Sequence, residues 1–310
     1  MGEGRAMRQQ VTDAAKQLLE AAGYYAARLA ERRFPGVCVL GYHGVLPAGT
    51  PRDGLPFAEL HVDAATLDAH LALIARHATP LTLAEAERAW RGEAPAPERG
   101  VLVTFDDGHH TLLTEALPLL EKHQVPAVVF ACTGPIMNER SFWFDAVARA
   151  AGEAAVEAAK GLPHAEWAAL VAAHEAAVTV GDPLAPLTRD QLRTLATHPL
   201  VTIGAHTVSH PILARAPREV QWAEVRGACE AIADATGRCP SAFAYPNGRP
   251  VLDFDGTTEG VLAEAGVTTA FSTSEGFATP DEPPLARSRF VMLASVTAAE
   301  LAHRMAHAWR

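Results

Sequence analysis

The sequence predicts an α/β protein of parallel βα units, on three observations. After Pro35, short apolar runs of strand-like composition alternate with segments of helical periodicity. About seven such runs recur, and seven parallel strands fit a barrel better than a short open sheet. Two of the runs pass without a break into carboxylates or imidazoles, which is where a parallel βα barrel carries its chemistry.

The strand-like runs are "VCVLGY" (37–42), "VLVTF" (101–105), "AVVFA" (127–131), "VTIGA" (201–205), "SAFAY" (241–245), "TTAFS" (268–272) and "RFVML" (289–293). Helical patterns fall between them at 64–77, 83–91, 111–123, 188–197, 217–236, 257–265 and 296–308. Thr111 and Thr188 stand where N-caps belong, and Gly237 stands where a C-terminal glycine ends a helix. Residues 133–187 interrupt the rhythm with an Ala-rich helical stretch and then "GDPLAPL", a loop. They read as a helical insertion on the barrel, not a separate domain. The expected organisation is therefore an N-terminal helix within 1–35 and a barrel over 36–310. The N-terminal helix spans 8–33, with Val11, Ala14, Ala15, Leu18, Leu19, Ala22, Tyr25, Ala26 and Leu29 at helical spacing. Such a stripe packs on the protein's own body or, because the segment is slightly basic, touches a membrane surface or a second copy.

Acidic residues outnumber basic ones 36 to 26, for a net charge of -10, and that balance argues against nucleic acid or an anionic membrane as the main partner. Cys38, Cys132, Cys229 and Cys239 show no metal-type spacing; Cys38 and Cys132 read as buried free thiols. No stretch approaches the length of a membrane span, and the N-terminus lacks an apolar core before a small-residue cleavage site. A cytoplasmic location is the resulting expectation.

In "VLVTFDDGHH" (101–110) a buried strand runs into Asp106 and Asp107. Two adjacent carboxylates repel and are costly to bury unpaired, so either Gly108 turns a solvated corner here or the pair has a partner. "VTIGAHTVSH" (201–210) repeats the grammar with His206 and His210, whose H-x3-H spacing lets both rings face one point. In a barrel the loops after the strands gather at one rim, so these four side chains can converge. Two histidines and one carboxylate leave coordination positions open for water and substrate, as catalytic metal sites do, and the second Asp stays free as a base.

The motifs "TFDDG" and "HTVSH", in that order, resemble the first two motifs of the polysaccharide deacetylases, carbohydrate esterase family 4. "FAYPNG" (243–248) is similar to the third in its Tyr-Pro-x-Gly form. "GYHGV", "HVDAATLDAHLALIARHATPLTLAEA", "FWFD" (142–145) and the late "ARSRF" agree with the looser pattern, and the resemblance covers roughly residues 37–290.

The resemblance implies a distorted (β/α)7-8 barrel. It assigns Asp107, His206 and His210 to a divalent metal, with Zn2+ the first choice and Co2+, Ni2+ or Mn2+ as alternatives. Asp106 becomes the catalytic base, and the backbone N–H of Asn247 stabilises the oxyanion, with Tyr245 and Pro246 shaping the groove wall. The implied reaction removes an N-acetyl or similar acyl group from an amino sugar in a polysaccharide, oligosaccharide or glycolipid precursor. The chain departs from the commoner family pattern in three places. Ala244 replaces an Arg that braces the base, the late Asp/Trp motif has no clear match around "FSTSEG", and "LARSRF" lacks the Leu-x-His histidine that protonates the leaving amine. Some members supply that acid from the end of the first strand, where His43 stands, with the loop 47–56 placed to cover the site.

His109 and His110 read as exposed loop residues, and Trp143 as either a sugar-stacking platform or a core aromatic. The competing functions are hydrolysis of another non-peptide C–N bond, by a deformylase or small-amide hydrolase, and a non-catalytic metal-containing glycan-binding module.

Overall fold

The computed structural model of the chain describes residues 14–307. Its strands are β1 (Cys38–Tyr42), β2 (Val45–Leu46), β3 (Val62–Asp63), β4 (Thr79–Pro80), β5 (Gly100–Phe105), β6 (Ala127–Ala131), β7 (Val201–Ala205), β8 (Ala242–Ala244), β9 (Thr269–Phe271) and β10 (Phe290–Val291). Eight of them form one parallel sheet in the order β10-β1-β5-β6-β7-β8-β9, with β4 beside β5, and β2 and β3 pair separately. β1, β5 and β6 are buried along their whole length, which is why they read as unbroken apolar runs and not as alternating ones.

Alternation decides which side chain faces where. Cys38, Leu40, Val101, Val103, Ala127 and Val129 belong to the large core shared with the outer helices. Val39, Leu102, Val128, Phe130, Ala244 and Phe271 form a separate cluster inside the curl of the sheet. Counting on by two from Val39, Leu102 and Thr202 reaches His43, Asp106 and His206. All three therefore project over the inner mouth at the C-terminal ends of their strands.

The curl is closed by the chain between residues 284 and 292. On the β9 side, Ala270 N–H donates to the Pro284 carbonyl, Arg287 N–H to Ala270 and Ser272 N–H to Arg287. On the β1 side, Leu40 pairs with Phe290, and Met292 N–H donates to the Gly41 carbonyl. Arg289 sits where this segment passes from one edge strand to the other.

The strands at 127–131 and 201–205 and the helix Ala64–His77 lie where periodicity placed them. Thr188 closes a capping box with Gln191, and Gly237 (φ 74°) ends the helix Arg218–Thr236. The stretch 111–123 differs. A π-turn at Leu112–Ala116 precedes the α-helix Leu117–His123, because Pro118 has no N–H to give to a regular helical ladder. Thr111 does not cap it; its hydroxyl accepts from the Val45 N–H at 3.2 Å.

The N-terminal helix is also not continuous. Gly23, at φ 75°, breaks it into a helix over 14–21 and another at Tyr24–Ala30; residues 8–13 lie outside the described part. Past the break Tyr25 and Leu29 are buried, and the Tyr25 hydroxyl meets His303 Nδ1 at 3.1 Å, so this half packs on the C-terminal helix Ala298–His307. Before the break the expected stripe fails, with Leu18 and Leu19 exposed and Lys16 turned in to pair with Glu300.

The insertion contains the helices Thr133–Asn138, Trp143–Ala151, Glu153–Lys160 and His164–Ala173, then a loop to residue 187. Trp143, Val147, Val156, Ala159 and Trp167 give it a small core of its own. All four cysteines are free, and among the described residues no helix is long and apolar enough to cross a membrane.

Candidate active site

Asp106 and Asp107 leave β5 together but meet different surroundings. Asp106 continues the inward parity, and its two carboxylate oxygens accept from Arg289 Nη1 and Nη2 at 2.7 and 2.8 Å. The guanidinium is fully buried. Its Nε also donates to the Ser272 carbonyl at 3.0 Å. Burial alone would push the Asp106 carboxyl up; the charge and hydrogen bonds of Arg289, together with the neighbouring His206 and His43, outweigh it, and the group sits below the usual carboxylate range. Asp106 is thus ionised despite being buried.

Asp107 turns aside through a left-handed backbone, at φ 69°. Its Oδ1 lies 3.4 Å from His206 Nε2 and 3.5 Å from His210 Nε2. The His206 ring is fixed by Nδ1 donating to the Ala244 carbonyl at 2.7 Å, which leaves Nε2 to carry either a proton or a metal. Thr207 and His210 are also left-handed, at φ 67° and 61°, and the Thr207 hydroxyl accepts from the His210 N–H. Non-glycine residues avoid this region, so their concentration here is backbone strain spent on aiming side chains. Gly108 must be glycine: at φ 89°, a Cβ there would lie 3.0 Å from Ile136 Cδ1.

The donor set fits a metal ion. Asp107 Oδ1 is buried without a hydrogen-bond partner, and one ligand atom from each of Asp107, His206 and His210 lies within 4.8 Å of the others. Ligand atoms about 2.1 Å from a tetrahedral ion stand about 3.4 Å apart, the separation found around Oδ1. In the protein alone, burial raises the Asp107 carboxyl, and the surrounding imidazoles, led by His109 and His206, more than reverse this; it falls well below its ordinary value. Burial and the neighbouring His206 press His210 down to about 3, so its ring is neutral and ready to ligate.

His43 lines both the inner cavity and the groove outside it, and its Nδ1 is buried without a partner. Asn247 (φ 57°) and Tyr245 also line the inner cavity. Tyr245 is held flat against Phe254 at 3.7 Å and donates its hydroxyl to the Leu285 carbonyl; Pro246 accepts from the Gly248 N–H in the same turn. All eight residues singled out in the sequence therefore stand in or beside one cavity.

Two residues differ from the sequence reading, and a third settles on one of its two alternatives. His109 is completely buried and not in an exposed loop: Nδ1 bonds the Leu184 carbonyl at 3.0 Å, and Nε2 faces Asp107 Oδ2 at 3.5 Å. His110 is half-buried and bonds the Asp182 carbonyl. The insertion loop covers both, which their own segment gave no means of foreseeing. Trp143 is a core aromatic, edge-on to Trp167 with Nε1 donating to the His210 carbonyl, and is not a free sugar platform. Two further residues escaped notice. Arg289 replaces the brace missing at Ala244, and an arginine at the start of a buried strand was the available signal. Asp145, of "FWFD", lines the cavity with both oxygens unpartnered; burial raises its carboxyl to about 7.

A curled parallel βα sheet with paired carboxylates and imidazoles at its strand ends defines a βα-barrel hydrolase. The family model for polysaccharide deacetylase matches residues 93–270, and the chain belongs to that family of carbohydrate deacetylases. The poly-β-1,6-N-acetyl-D-glucosamine N-deacetylase of Escherichia coli K12 is 43% identical over 49 residues, which is 16% of this chain and only 7% of that one. The Streptococcus pyogenes deacetylase PplD, solved with acetate, is similar in fold, with TM-score 0.64 and 21% identity over 88% of this chain and 99% of that one. IcaB from Ammonifex degensii matches with TM-score 0.63 and 19% identity, over 88% of this chain and 98% of that one.

Proposed function

We propose that the protein hydrolyses the N-acetyl group of an amino sugar, with Asp107, His206 and His210 holding a divalent ion, Zn2+ first among the candidates. The observation that carries this reading is the split of two adjacent carboxylates between an arginine and an Asp-His-His cluster at the bottom of one cavity. When bound, the ion would polarise the amide carbonyl and make its water more acidic. Asp106, held ionised by Arg289, accepts the proton of the attacking water. The Asn247 N–H, on a residue that lines the cavity, would donate to the developing oxyanion. His43 delivers a proton to the departing nitrogen, which would otherwise leave as an amine anion.

The cavity sizes support a small acyl group on a large alcohol-rich partner. The inner cavity, which holds the carboxylates and imidazoles, has about 80 Å³. That is room for a few water-sized groups, hence for an acetyl or formyl group. The groove outside His43 has about 630 Å³, enough for sugar rings. The name of the Escherichia coli relative suggests β-1,6-linked N-acetylglucosamine as the first substrate to try.

The test is acetate release from β-1,6- and β-1,4-linked N-acetylglucosamine oligomers, beside N-formyl sugars and cyclic ureides, by chelated protein with metal returned. Turnover confined to the formyl sugars or ureides would move the protein to the alternative C–N hydrolases; no turnover on any of them would overturn the reading.

A further inference from the structure

We infer that His61 is a further substrate-binding residue of this site, a neutral imidazole that offers its Nε2 proton to the sugar hydroxyl beside the scissile amide. The inference rests on the deacetylase reading and adds the group that reads the sugar next to its acylated nitrogen.

The His61 ring is almost fully buried and lines the inner cavity together with His43, Asp106 and His206. Its Nδ1 accepts from the Gly44 N–H at 3.2 Å. A ring nitrogen that accepts carries no proton, so this one bond excludes the imidazolium and places the proton of the neutral ring on Nε2. Burial acts in the same direction, and with His109 and His43 nearby it holds the ring well below the ordinary histidine value. Among the described residues no group accepts from Nε2. A donor at a cavity wall with no acceptor in the protein is satisfied only by what enters the cavity.

The chain is built to hold the ring there. Gly44, directly after His43 in "GYHGV", has to be glycine, because a Cβ would lie 2.7 Å from His61 Nδ1. The ring stands edge-on to His109, with centroids 5.1 Å apart and planes at 89°. Its backbone is tied on both sides, by the pairing of Val62 with Val45 and by the Glu59 carbonyl, which accepts from the Ala294 N–H at 2.8 Å.

Position then selects the acceptor. His61 lines the inner cavity but not the groove that takes the sugar chain, so its partner is an atom close to the amide. The glycosidic oxygen is drawn into the groove, which leaves the amide carbonyl and the hydroxyl vicinal to the nitrogen. The carbonyl is assigned to Asn247, which follows β8. Gly44 and His109, which frame His61, follow β1 and β5, and β6 and β7 stand between β5 and β8. On the His61 side the vicinal hydroxyl remains.

The test uses the full chain, metal-loaded, with β-1,6- and β-1,4-linked N-acetylglucosamine trimers and their 3-deoxy analogues, which lack that hydroxyl. His61→Asn keeps an acceptor for the Gly44 N–H where Nδ1 stood but withdraws the donor, whereas His61→Gln sets an amide N–H near the place of Nε2. On the parent trimers His61→Asn should lose about tenfold in kcat/KM, the worth of one hydrogen bond, with unchanged metal content. His61→Gln should recover most of that loss. On the 3-deoxy trimers the wild-type protein and His61→Asn should be equal. The ratio of the two substrates is read within each protein, so it does not depend on how well a variant folds. The same ratio in His61→Asn as in the wild type overturns the proposal. Calorimetry on the same trimers reads binding without turnover. A hydroxyl-dependent affinity that His61→Asn abolishes, without acetate release by any of the proteins, would sustain the His61 contact while overturning the deacetylase reading. An affinity of the wild-type protein that ignores the hydroxyl would overturn the contact.

Discussion

Arg289 grips both oxygens of Asp106, at 2.7 and 2.8 Å, from a position 183 residues further along the chain. The pair is fully enclosed, and the remaining guanidinium donors go to Ser272 and Thr104, so the charge has no other outlet. A carboxylate buried this deeply without a cation would take up a proton and cease to be a base.

Removing the arginine should therefore act on titration as well as stability. Arg289→Ala strands a buried carboxylate, at a cost of about 3–5 kcal/mol seen in denaturant melts. Arg289 lowers the Asp106 pKa, so its loss raises that pKa and moves the acidic limb of kcat/KM to higher pH. Arg289→Lys keeps the charge but not the two-pronged geometry and should fall between. An unmoved acidic limb in a folded Arg289→Ala protein would show that Asp106 is not the titrating base.

The metal triad makes the next prediction. Alanine at Asp107, His206 or His210 should abolish stoichiometric metal in elemental analysis and lower Tm, because an ion that binds only the native state stabilises it. At a thousandfold excess over Kd the gain is about 4 kcal/mol. Full metal content in His206→Ala would dismiss this ligand set.

Adjacent in sequence, the two carboxylates should separate cleanly in function. Asp106→Asn should keep the metal and lose most of the rate, since it removes a proton acceptor that touches no ligand atom. Asp107→Asn should lose metal as well as rate. Equal metal loss in the two variants would contradict the division read from their geometry.

The strands and the residues at their ends were legible because both obey short-range rules. Period-two alternation along β1, β5 and β7 is enough to carry His43, Asp106 and His206 inward, and motif spacing supplies Asp107 and His210. Arg289 was not legible as a brace, because nothing in "ARSRF" says that this segment crosses from β9 to β1 and delivers its side chain beside Thr104. His109 was missed for a similar reason: its burial depends on Leu184, a contact made by a loop 75 residues away. The break at Gly23 and the π-turn before Pro118 carry local signals, a glycine and a proline, which the broad helical stripe outvoted.

Asp145 makes a prediction about stability. Burial raises its carboxyl from the ordinary range to about 7, so between roughly pH 4 and 7 the folded protein holds a proton that the unfolded chain has given up. Stability then falls as pH rises through that window, by an amount of the order of 4 kcal/mol for one group. Asp145→Asn removes the penalty. In metal-free protein its Tm advantage over wild type should be small near pH 4 and largest at pH 8. An advantage independent of pH would show that the carboxyl does not titrate in the native state.

His43 gives the sharpest test of the chemistry. Hydrolysis requires a proton on the departing nitrogen, and the family's late histidine is absent from "LARSRF". His206 and His210 are turned toward Asp107, and His109 is shut behind the insertion loop. His43 alone among these imidazoles borders both the inner cavity and the outer groove, where the bond joining acyl group to sugar must lie. Burial lowers its pKa, and the opposing pull of Asp107 and Asp106 does not fully offset this. An acid must be protonated to act, so a lowered pKa places the alkaline limb of kcat/KM at lower pH than an exposed histidine would. General acid catalysis is worth about 10²–10⁴-fold, and His43→Ala should lose that much on an amide while keeping its metal. On an ester of the same sugar the loss should be smaller, because an alkoxide leaves more readily than an amine anion. Equal losses on amide and ester would assign His43 to binding, and undiminished amide hydrolysis by the folded, metal-loaded variant would remove it from the reaction.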